Sequence, residues 1–221
     1  PIHAAVEDFS TGHTEQSALT HSQVLGLIRL YLYTPETAAL LPVLLYEAAV
    51  DGKYPALARA AQSVSELADE LLYFGAHNAV LCSEEYPRFG DIPNAIQAQN
   101  SNTYLGDEFL RSLDVMCEVW PHGDIPENFH HALHADLPTL MLTGENDPIT
   151  PPAYAERLKK NLPRATHFVL PGRGHSVAGH PCAARLISDF ITEPDSAKLD
   201  SACLSRMRQE PVFVNLNGTA P

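Results

Sequence analysis

The stretch Thr139-Leu-Met-Leu-Thr143, continued by Gly144-Glu-Asn-Asp-Pro-Ile-Thr-Pro-Pro152, is the part of the sequence that decides the fold. Its apolar run between a proline and a glycine predicts a short buried strand, and the proline pair that follows predicts the start of a helix. The same pattern then recurs. The predicted elements are strands at 139–143 and 167–170 and helices at 152–161 and 181–191. Alternation at this spacing indicates βαβ units with a parallel sheet, so the predicted fold class is α/β.

Two loops, each directly after one of these strands, carry the residues best suited to chemistry. Asp147 lies in the first loop, and His175 ends the second, Pro171-Gly-Arg-Gly-His175. Functional groups of open α/β sheets gather at the carboxyl ends of strands, so we expect the two side chains to meet. The carboxylate would accept a hydrogen bond from Nδ1–H, leaving Nε2 to take a proton from a nucleophile. Glu145 is the competing acid.

The nucleophile that such a pair serves is not evident in the sequence. A Gly-x-Ser-x-Gly elbow does not occur in the 221 residues. Ser83 follows an apolar run, but its neighbours Cys82 and Glu84 would crowd the strained turn that a nucleophile needs. Ser176, beside the predicted base, is more typical of a loop residue. We therefore predict that the chain supplies the acid and the base and that the nucleophile lies outside it.

The part of the chain before these strands is predicted to be mostly helical. The expected elements are a hairpin at 3–20, helices near 24–31, 35–51, 56–61, 63–73 and 107–120, and a strand at 78–82. Thr11-Gly12 supplies the hairpin turn, and Ser63 with Glu66 has the spacing of a capping box. We divide the chain into a helical cap (1–75), a carboxy-terminal α/β segment (76–205) and a tail (206–221). The strand at 78–82 would expose a sheet edge, which favours association with an amino-terminal half, with a second polypeptide or with another copy.

Composition excludes several classes of partner. The formal net charge is -13 at pH 7, and no basic stripe offsets it, so nucleic-acid binding is disfavoured. No apolar run reaches the roughly 20 residues that a bilayer-spanning helix needs, so we predict no membrane segment. The histidines at positions 130, 131 and 134 lack an HExxH pattern and fall in a predicted loop. We therefore predict neither a metal nor an organic cofactor.

The four cysteines, Cys82, Cys117, Cys182 and Cys203, contain no CxxC pair, which argues against a zinc ribbon or a thioredoxin-type motif. Four cysteines allow three disulfide pairings. Four buried thiols are the other interpretation of the same residues. The even count at wide spacing weakly favours an oxidising compartment.

Several motifs together are similar to one family. They are Arg29-Leu-Tyr-Leu-Tyr-Thr-Pro35, Val80-Leu-Cys-Ser-Glu-Glu85, Cys117-Glu-Val-Trp-Pro121, the two loops that contain Asp147 and His175, and Leu199-Asp-Ser-Ala-Cys203. Over nearly its whole length the chain resembles the carboxy-terminal half of secreted bacterial α/β-hydrolases related to tripeptidyl and prolyl aminopeptidases. It departs from them at Glu85, where the family usually has aspartate. In that family the nucleophilic serine precedes the cap, so the missing elbow is what a carboxy-terminal portion would show.

The resemblance implies a chemistry and a set of disulfides. It implies an α/β-hydrolase fold and a serine that attacks a peptide or ester carbonyl with Asp147 and His175 as its acid and base. It implies the pairs Cys82–Cys117 and Cys182–Cys203, and hence a secreted or periplasmic protein.

The resemblance also implies a way of binding substrate. In related aminopeptidases, acidic residues at the cap bind the free amino terminus of the peptide, which gives this role to Glu84 or Glu85, with Glu84 ahead. The alternative is that one of them caps a helix or forms a structural ion pair. A short peptide with a free amino end is the expected substrate, and an ester is the second choice. The rival to an enzyme is an α/β-hydrolase-like binding module without catalysis.

Overall fold

The computed structural model of the chain describes residues 1–8, 11–90, 94, 107–195 and 198–219. The chain divides into two compact units. Unit 1 comprises Pro1–Gly26 and Ala58–His131, and unit 2 comprises Leu27–Leu57 and Ala132–Pro221. The predicted cap, α/β segment and tail stay a prediction, and the last two residues of that tail lie outside the described residues.

Unit 1 starts with the predicted hairpin. Strands β1 (Ile2–Asp8) and β2 (His13–Leu19) pair antiparallel, with Ile2 opposite Leu19 and Asp8 opposite His13. Gly12 has a positive φ of 69°. Glycine adopts this conformation at little steric cost, which is why Thr11-Gly12 predicts a turn here. Ala4 and Val6 are buried, as expected for alternate residues on one face of a strand.

The rest of unit 1 is helical. The unit boundaries after Gly26 and Leu57 fall inside helices α1 (His21–Tyr31) and α4 (Pro55–Leu71). The helices are α1 (His21–Tyr31), α4 (Pro55–Leu71), α5 (Phe74–Val80), a π-helical turn (Leu81–Glu85), a 3₁₀ turn (Tyr86–Arg88) and α6 (Glu108–Val119). The prediction of two helices at 56–61 and 63–73 is wrong, because α4 runs unbroken through Ser63. The stretch offers alanines and no glycine or proline to end the first helix, so the capping-box spacing has no effect. Most of the polar stretch between the 3₁₀ turn and α6 lies outside the described residues.

The predicted strand at 78–82 is also wrong. These residues end α5 and enter the π-helical turn. Cys82 is fully buried, and it packs with Leu113 and Cys117, whereas Val80 is half exposed. A short apolar run does not separate a strand from a buried helical segment, and here the helical neighbours decide. The exposed sheet edge inferred at this position is therefore absent, and it no longer supports association.

Both predicted disulfides are present. Cys82–Cys117 joins the π-helical turn to α6, and Cys182–Cys203 joins the helix Pro181–Thr192 to the segment that follows it. The described residues include no free cysteine. Two disulfides are consistent with an oxidising, extracellular or periplasmic location.

Unit 2 begins with two short helices, α2 (Pro35–Ala38) and α3 (Leu41–Ala49), where a single helix over 35–51 was predicted. Thr34 caps α2 by accepting a hydrogen bond from the N–H of Thr37. Pro42 at the start of α3 has no N–H to continue α2, which explains the division.

The remainder of unit 2 contains the predicted alternation of strands and helices. Its elements are β3 (Thr139–Gly144), α7 (Pro152–Lys159), β4 (Ala165–Leu170), α8 (Pro181–Thr192) and a 3₁₀ turn (Leu204–Arg206). Strands β3 and β4 pair in parallel, with Thr139 opposite Ala165 and Gly144 opposite Leu170. The two strands therefore end at the same level, which brings the loops after them together.

The core of unit 2 lies beneath this end of the sheet. Leu170 and Leu186 are fully buried, and Val177, Ala183 and Met207 pack with them. None of the described helices is long and apolar enough to cross a membrane. The mixed α/β architecture with a small parallel sheet is compatible with part of an α/β-hydrolase.

Candidate active site

The loop after β3 holds Asp147 by its own main chain. The N–H groups of Ile149 and Thr150 donate to Oδ1 at 2.8 and 2.9 Å. The Asp147 side chain thereby closes a turn that leads into Pro151 and helix α7, which explains why an aspartate sits at this position. The residue is only 6% exposed.

Burial and hydrogen bonding act in opposite directions on this carboxylate. Burial alone would raise the pKa of Asp147. The hydrogen bonds from the Thr150 and Ile149 main chain, from the Thr150 hydroxyl and from His175 outweigh burial and hold the pKa below its usual value. Asp147 is therefore ionised at neutral pH although it is almost completely enclosed.

His175 is held by its main chain against the segment that precedes α2. Its N–H donates to the carbonyl oxygen of Tyr33 at 2.8 Å, and the N–H of Ser176 reaches the same oxygen at 3.4 Å. The rings of Tyr33 and His175 lie 5.0 Å apart between centroids, tilted by 60°. The imidazole is thus fixed through both its backbone and one face of its ring.

Two glycines allow the loops to approach this closely. A Cβ atom at Gly174 would collide with the carbonyl oxygens of Tyr33 and Leu32, and one at Gly144 would collide with main-chain atoms of Arg173 and Gly174. These contacts give a steric reason for glycine at the end of β3 and beside the histidine.

The structure brings the two predicted residues together. Nδ1 of His175 lies 3.1 Å from both carboxylate oxygens of Asp147. With the proton on Nδ1, the ring donates to Asp147 and keeps Nε2 as an acceptor. Nε2 makes no hydrogen bond to a described residue of unit 2, and the side chain is 34% exposed. The arrangement is that of a base held by the acid through Nδ1, with Nε2 left as an acceptor.

Thr150 is a member of this cluster that the sequence did not reveal. Its hydroxyl donates to Oδ2 of Asp147 at 2.8 Å and lies 3.3 Å from Nδ1 of His175. The hydroxyl thus fixes one of the two carboxylate oxygens that His175 contacts. The only signal in the sequence was the spacing of three residues from Asp147, which is common in turns.

Arg173 braces the histidine loop. Its guanidinium donates to Glu36 and to Glu210, each at 3.0 Å, and only 13% of the side chain is exposed. Its carbonyl oxygen accepts from the N–H of Asn146 at 2.9 Å, which ties the loop after β4 to the loop after β3. The loop is therefore held from both sides, two residues before His175.

Glu145, the competing acid predicted from the sequence, binds a main-chain N–H of the loop after β4. Its Oε2 accepts from the N–H of Gly172 at 2.8 Å, and it makes no hydrogen bond to His175. The carboxylate that contacts the imidazole is that of Asp147.

A second histidine of unit 2 makes a useful contrast. His167 on β4 binds Glu156 of α7 through Nδ1 at 2.6 Å and the Thr143 hydroxyl through Nε2 at 2.8 Å. Its side chain is fully buried, so both nitrogens are occupied and neither is accessible. The hydrogen bond to His167 lowers the pKa of Glu156. This histidine joins a helix to the sheet, and unlike His175 it offers no nitrogen to a substrate.

The other predicted residues lie in unit 1. Glu84 is half buried and makes no hydrogen bond or ion pair with a residue that the structure describes. Glu85 is exposed and lies 3.8 Å from Arg88 across one helical turn. The Ser83 hydroxyl accepts from the N–H of Gly123 at 2.8 Å.

The histidines at 130, 131 and 134 do not form a metal centre. Among the described residues, no three His, Cys, Asp or Glu side chains are placed to hold a metal ion. His130 instead packs edge-on against the ring of Phe129.

Comparison with known proteins finds a family match for part of the chain. Residues 102–203, just under half of the sequence, match the model of a family described as TAP-like protein. The matched range contains β3, β4, Asp147 and His175. No curated protein and no solved structure matches the chain. The resemblance predicted from the motifs is thereby confirmed for residues 102–203, which match the TAP-like proteins among the α/β-hydrolases.

Proposed function

We propose that this chain contributes the acid and the base of a Ser-Asp-His hydrolase. The observation that carries the proposal is the hydrogen bond between Asp147 and Nδ1 of His175, which leaves Nε2 as an acceptor on a partly exposed side chain. The family match over 102–203 supports hydrolase chemistry at the same residues.

The proposed mechanism is acyl transfer. A serine hydroxyl attacks the substrate carbonyl while Nε2 of His175 takes its proton. Asp147 stays ionised and stabilises the imidazolium. The imidazolium then gives the proton to the leaving amine or alcohol, and water repeats the sequence to release the acid and restore the serine.

The serine is proposed to lie outside these 221 residues. Ser176 is exposed, but it is adjacent to His175 and its N–H is bound to Tyr33. The Ser83 oxygen already accepts a hydrogen bond, and the residue sits in a π-helical turn rather than after a strand. Neither has the strand-to-helix turn that exposes a nucleophile. An amino-terminal half or a second polypeptide would supply it, and self-association is the remaining arrangement.

A short peptide with a free amino end is the proposed substrate. Glu84 carries a carboxylate without an ionic partner among the described residues, and such a group would pair with an ammonium. Glu85 already lies beside Arg88. An ester with the same acyl portion is the second candidate. The disulfides support an exported protein, secreted or periplasmic.

Labelling with a fluorophosphonate tests the mechanism. The protein is purified from its source with associated polypeptides retained, labelled, and separated on a denaturing gel with intact-mass analysis. We expect label on a separate polypeptide, or on a longer chain that contains these residues. Label on the 24.1 kDa chain itself would overturn the placement of the serine and return attention to Ser83 and Ser176. An unlabelled protein would favour the binding module.

Two pairs of variants sharpen the test. In the complete protein, His175→Gln should slow labelling by about 100-fold or more, because a general base contributes at least that factor. His134→Gln, at an exposed histidine of the same unit, should leave it unchanged. With peptide p-nitroanilides, Glu84→Gln should raise KM for substrates with a free amino end and leave KM unchanged for acetylated substrates. Glu85→Gln should leave KM unchanged for both. Hydrolysis of p-nitrophenyl esters alone would select the ester.

A further inference from the structure

Unit 2 contains a cavity that the proposed hydrolase chemistry does not use. It has a volume of about 780 Å³ and lies at the start of α8, next to the Cys182–Cys203 disulfide. Four arginines line it: Arg173, Arg185, Arg206 and Arg208. The whole chain has only 14 lysines and arginines and a net charge of -13, so this concentration of positive charge is local. We call it the arginine cavity.

Two of the four guanidinium groups are neutralised within the protein. Arg173 binds Glu36 and Glu210. Arg185 binds the carboxylate of Asp200 at 3.0 Å and its carbonyl oxygen at 2.9 Å.

The other two guanidinium groups lack a carboxylate partner. Arg206 makes no ion pair or side-chain hydrogen bond with a described residue, although Asp200 lies close enough to interact with it electrostatically. Arg208 donates only to the carbonyl oxygens of Ser205 and Met207. Two charges at one wall of the cavity are therefore available to an anion.

Two further features of the wall favour negative charge. The Nε–H of Arg173 is buried and has no acceptor among the described residues, so its partial positive charge is left uncompensated within the protein. The cavity also receives the amino-terminal end of α8, a helix of 12 residues that starts at Pro181. The positive end of a helix dipole adds to the attraction of the arginines.

We propose that the arginine cavity binds a phosphate monoester. A phosphate dianion matches the charges of Arg206 and Arg208, neither of which has a direct ion pair with a described residue, and guanidinium groups bind phosphate oxygens in pairs. The volume of about 780 Å³ lies within the range of small-molecule sites and leaves room for an organic body beside the phosphate. Arg173, Arg185 and Glu210 form the fixed frame.

Calorimetric titration of the 221-residue chain at low ionic strength tests this site with three probes: phenyl phosphate, inorganic phosphate and phenol. We expect phenyl phosphate to bind most tightly, and its affinity to fall as salt is added. Arg206→Gln and Arg208→Gln should each weaken it by about 10-fold or more, the value of one charge-assisted hydrogen bond. The control Arg164→Gln removes the same charge at an exposed residue of the same unit and should leave binding unchanged.

Each alternative result overturns a stated part of the proposal. If wild-type protein does not bind phenyl phosphate at millimolar concentration, or if Arg164→Gln weakens binding as much as Arg206→Gln, there is no specific anion site. If phenol binds as tightly as phenyl phosphate, the arginines do not recognise the ligand. If inorganic phosphate binds as tightly as phenyl phosphate, the ligand is the free ion and the organic body is wrong. Circular dichroism on the exposed-arginine variants confirms that they are folded.

Discussion

Replacing Thr150 by valine tests whether the hydroxyl that bridges Asp147 and His175 supports the acid. Valine keeps the branched shape and removes the donor that lies 2.8 Å from Oδ2. The carboxylate is 6% exposed, so water replaces the lost donor poorly. Thr150→Ser is the matched control, because it keeps the hydroxyl and loses only a methyl group.

The expected cost follows from the contacts of the carboxylate. A hydrogen bond to a charged group contributes about 1.5 to 3 kcal/mol. Asp147 keeps two main-chain donors and His175 in the variant, so the lower end applies, about 1.5 kcal/mol. In a chain of this length that corresponds to a fall in Tm of roughly 3 to 6 °C.

The cost should depend on pH with a definite sign. The pKa of Asp147 is lower in the folded protein than usual, so its stabilisation is present above the ordinary carboxyl pKa and is lost as pH falls through the folded value. Removing one of the hydrogen bonds moves the folded pKa upward. The difference between Thr150→Val and wild type should therefore be largest at neutral pH and shrink on acidification.

Calorimetric thermal unfolding of wild type, Thr150→Val and Thr150→Ser at pH 7, and at the lowest pH at which all three stay folded, measures this. The reasoning is refuted if Thr150→Val is as stable as Thr150→Ser at pH 7. It is also refuted if the cost of Thr150→Val is the same at both pH values, because the lost bond would then not depend on the carboxylate charge.

Two further substitutions test how the site is supported. Gly174→Ala should destabilise the chain by about 2 kcal/mol or more in urea unfolding, because the added methyl group meets main-chain oxygens that cannot move away. Gly179→Ala is the control and should be close to neutral, because the space around Gly179 is open. Equal effects of the two substitutions would contradict the steric argument. Replacing Cys182 and Cys203 together by serine removes a link across 21 residues. The free energy of unfolding should fall by about 3 kcal/mol, because the unfolded chain gains loop-closure entropy. A fall below about 1 kcal/mol in thermal unfolding would show that the disulfide does not restrain the unfolded chain.

The sequence was sufficient to predict the sheet of unit 2 and the pair at its end. Proline and glycine bound both apolar runs, and each loop holds one residue with obvious chemistry. Since parallel strands in register end at the same edge, the contact between Asp147 and His175 followed from topology alone. The sequence predicted Asp147 as the acid and left Glu145 as its competitor, and in the structure it is Asp147 that contacts the imidazole.

The errors have a common physical source. The run at 78–82 and the spacing from Ser63 to Glu66 are short signals, and the neighbouring helices overrode both. Thr150 and Tyr33 were missed for a different reason. Tyr33 acts through a carbonyl oxygen, which every residue has, and Thr150 acts through a turn that has no distinctive sequence. Main-chain contacts of this kind are set by the folded geometry and leave little trace in side-chain chemistry.

Asp147 closes the turn after β3 and also contacts the imidazole of His175, and different hydrogen-bond donors serve these two roles. Three of the four donors to the carboxylate belong to residues 149 and 150 of its own loop, and one belongs to His175. The loop alone therefore satisfies most of the buried charge and fixes the direction of its oxygens. The imidazole adds the last donor. Because the loop itself supplies the other three, removing the histidine side chain should affect proton transfer far more than it affects the folding of the loop.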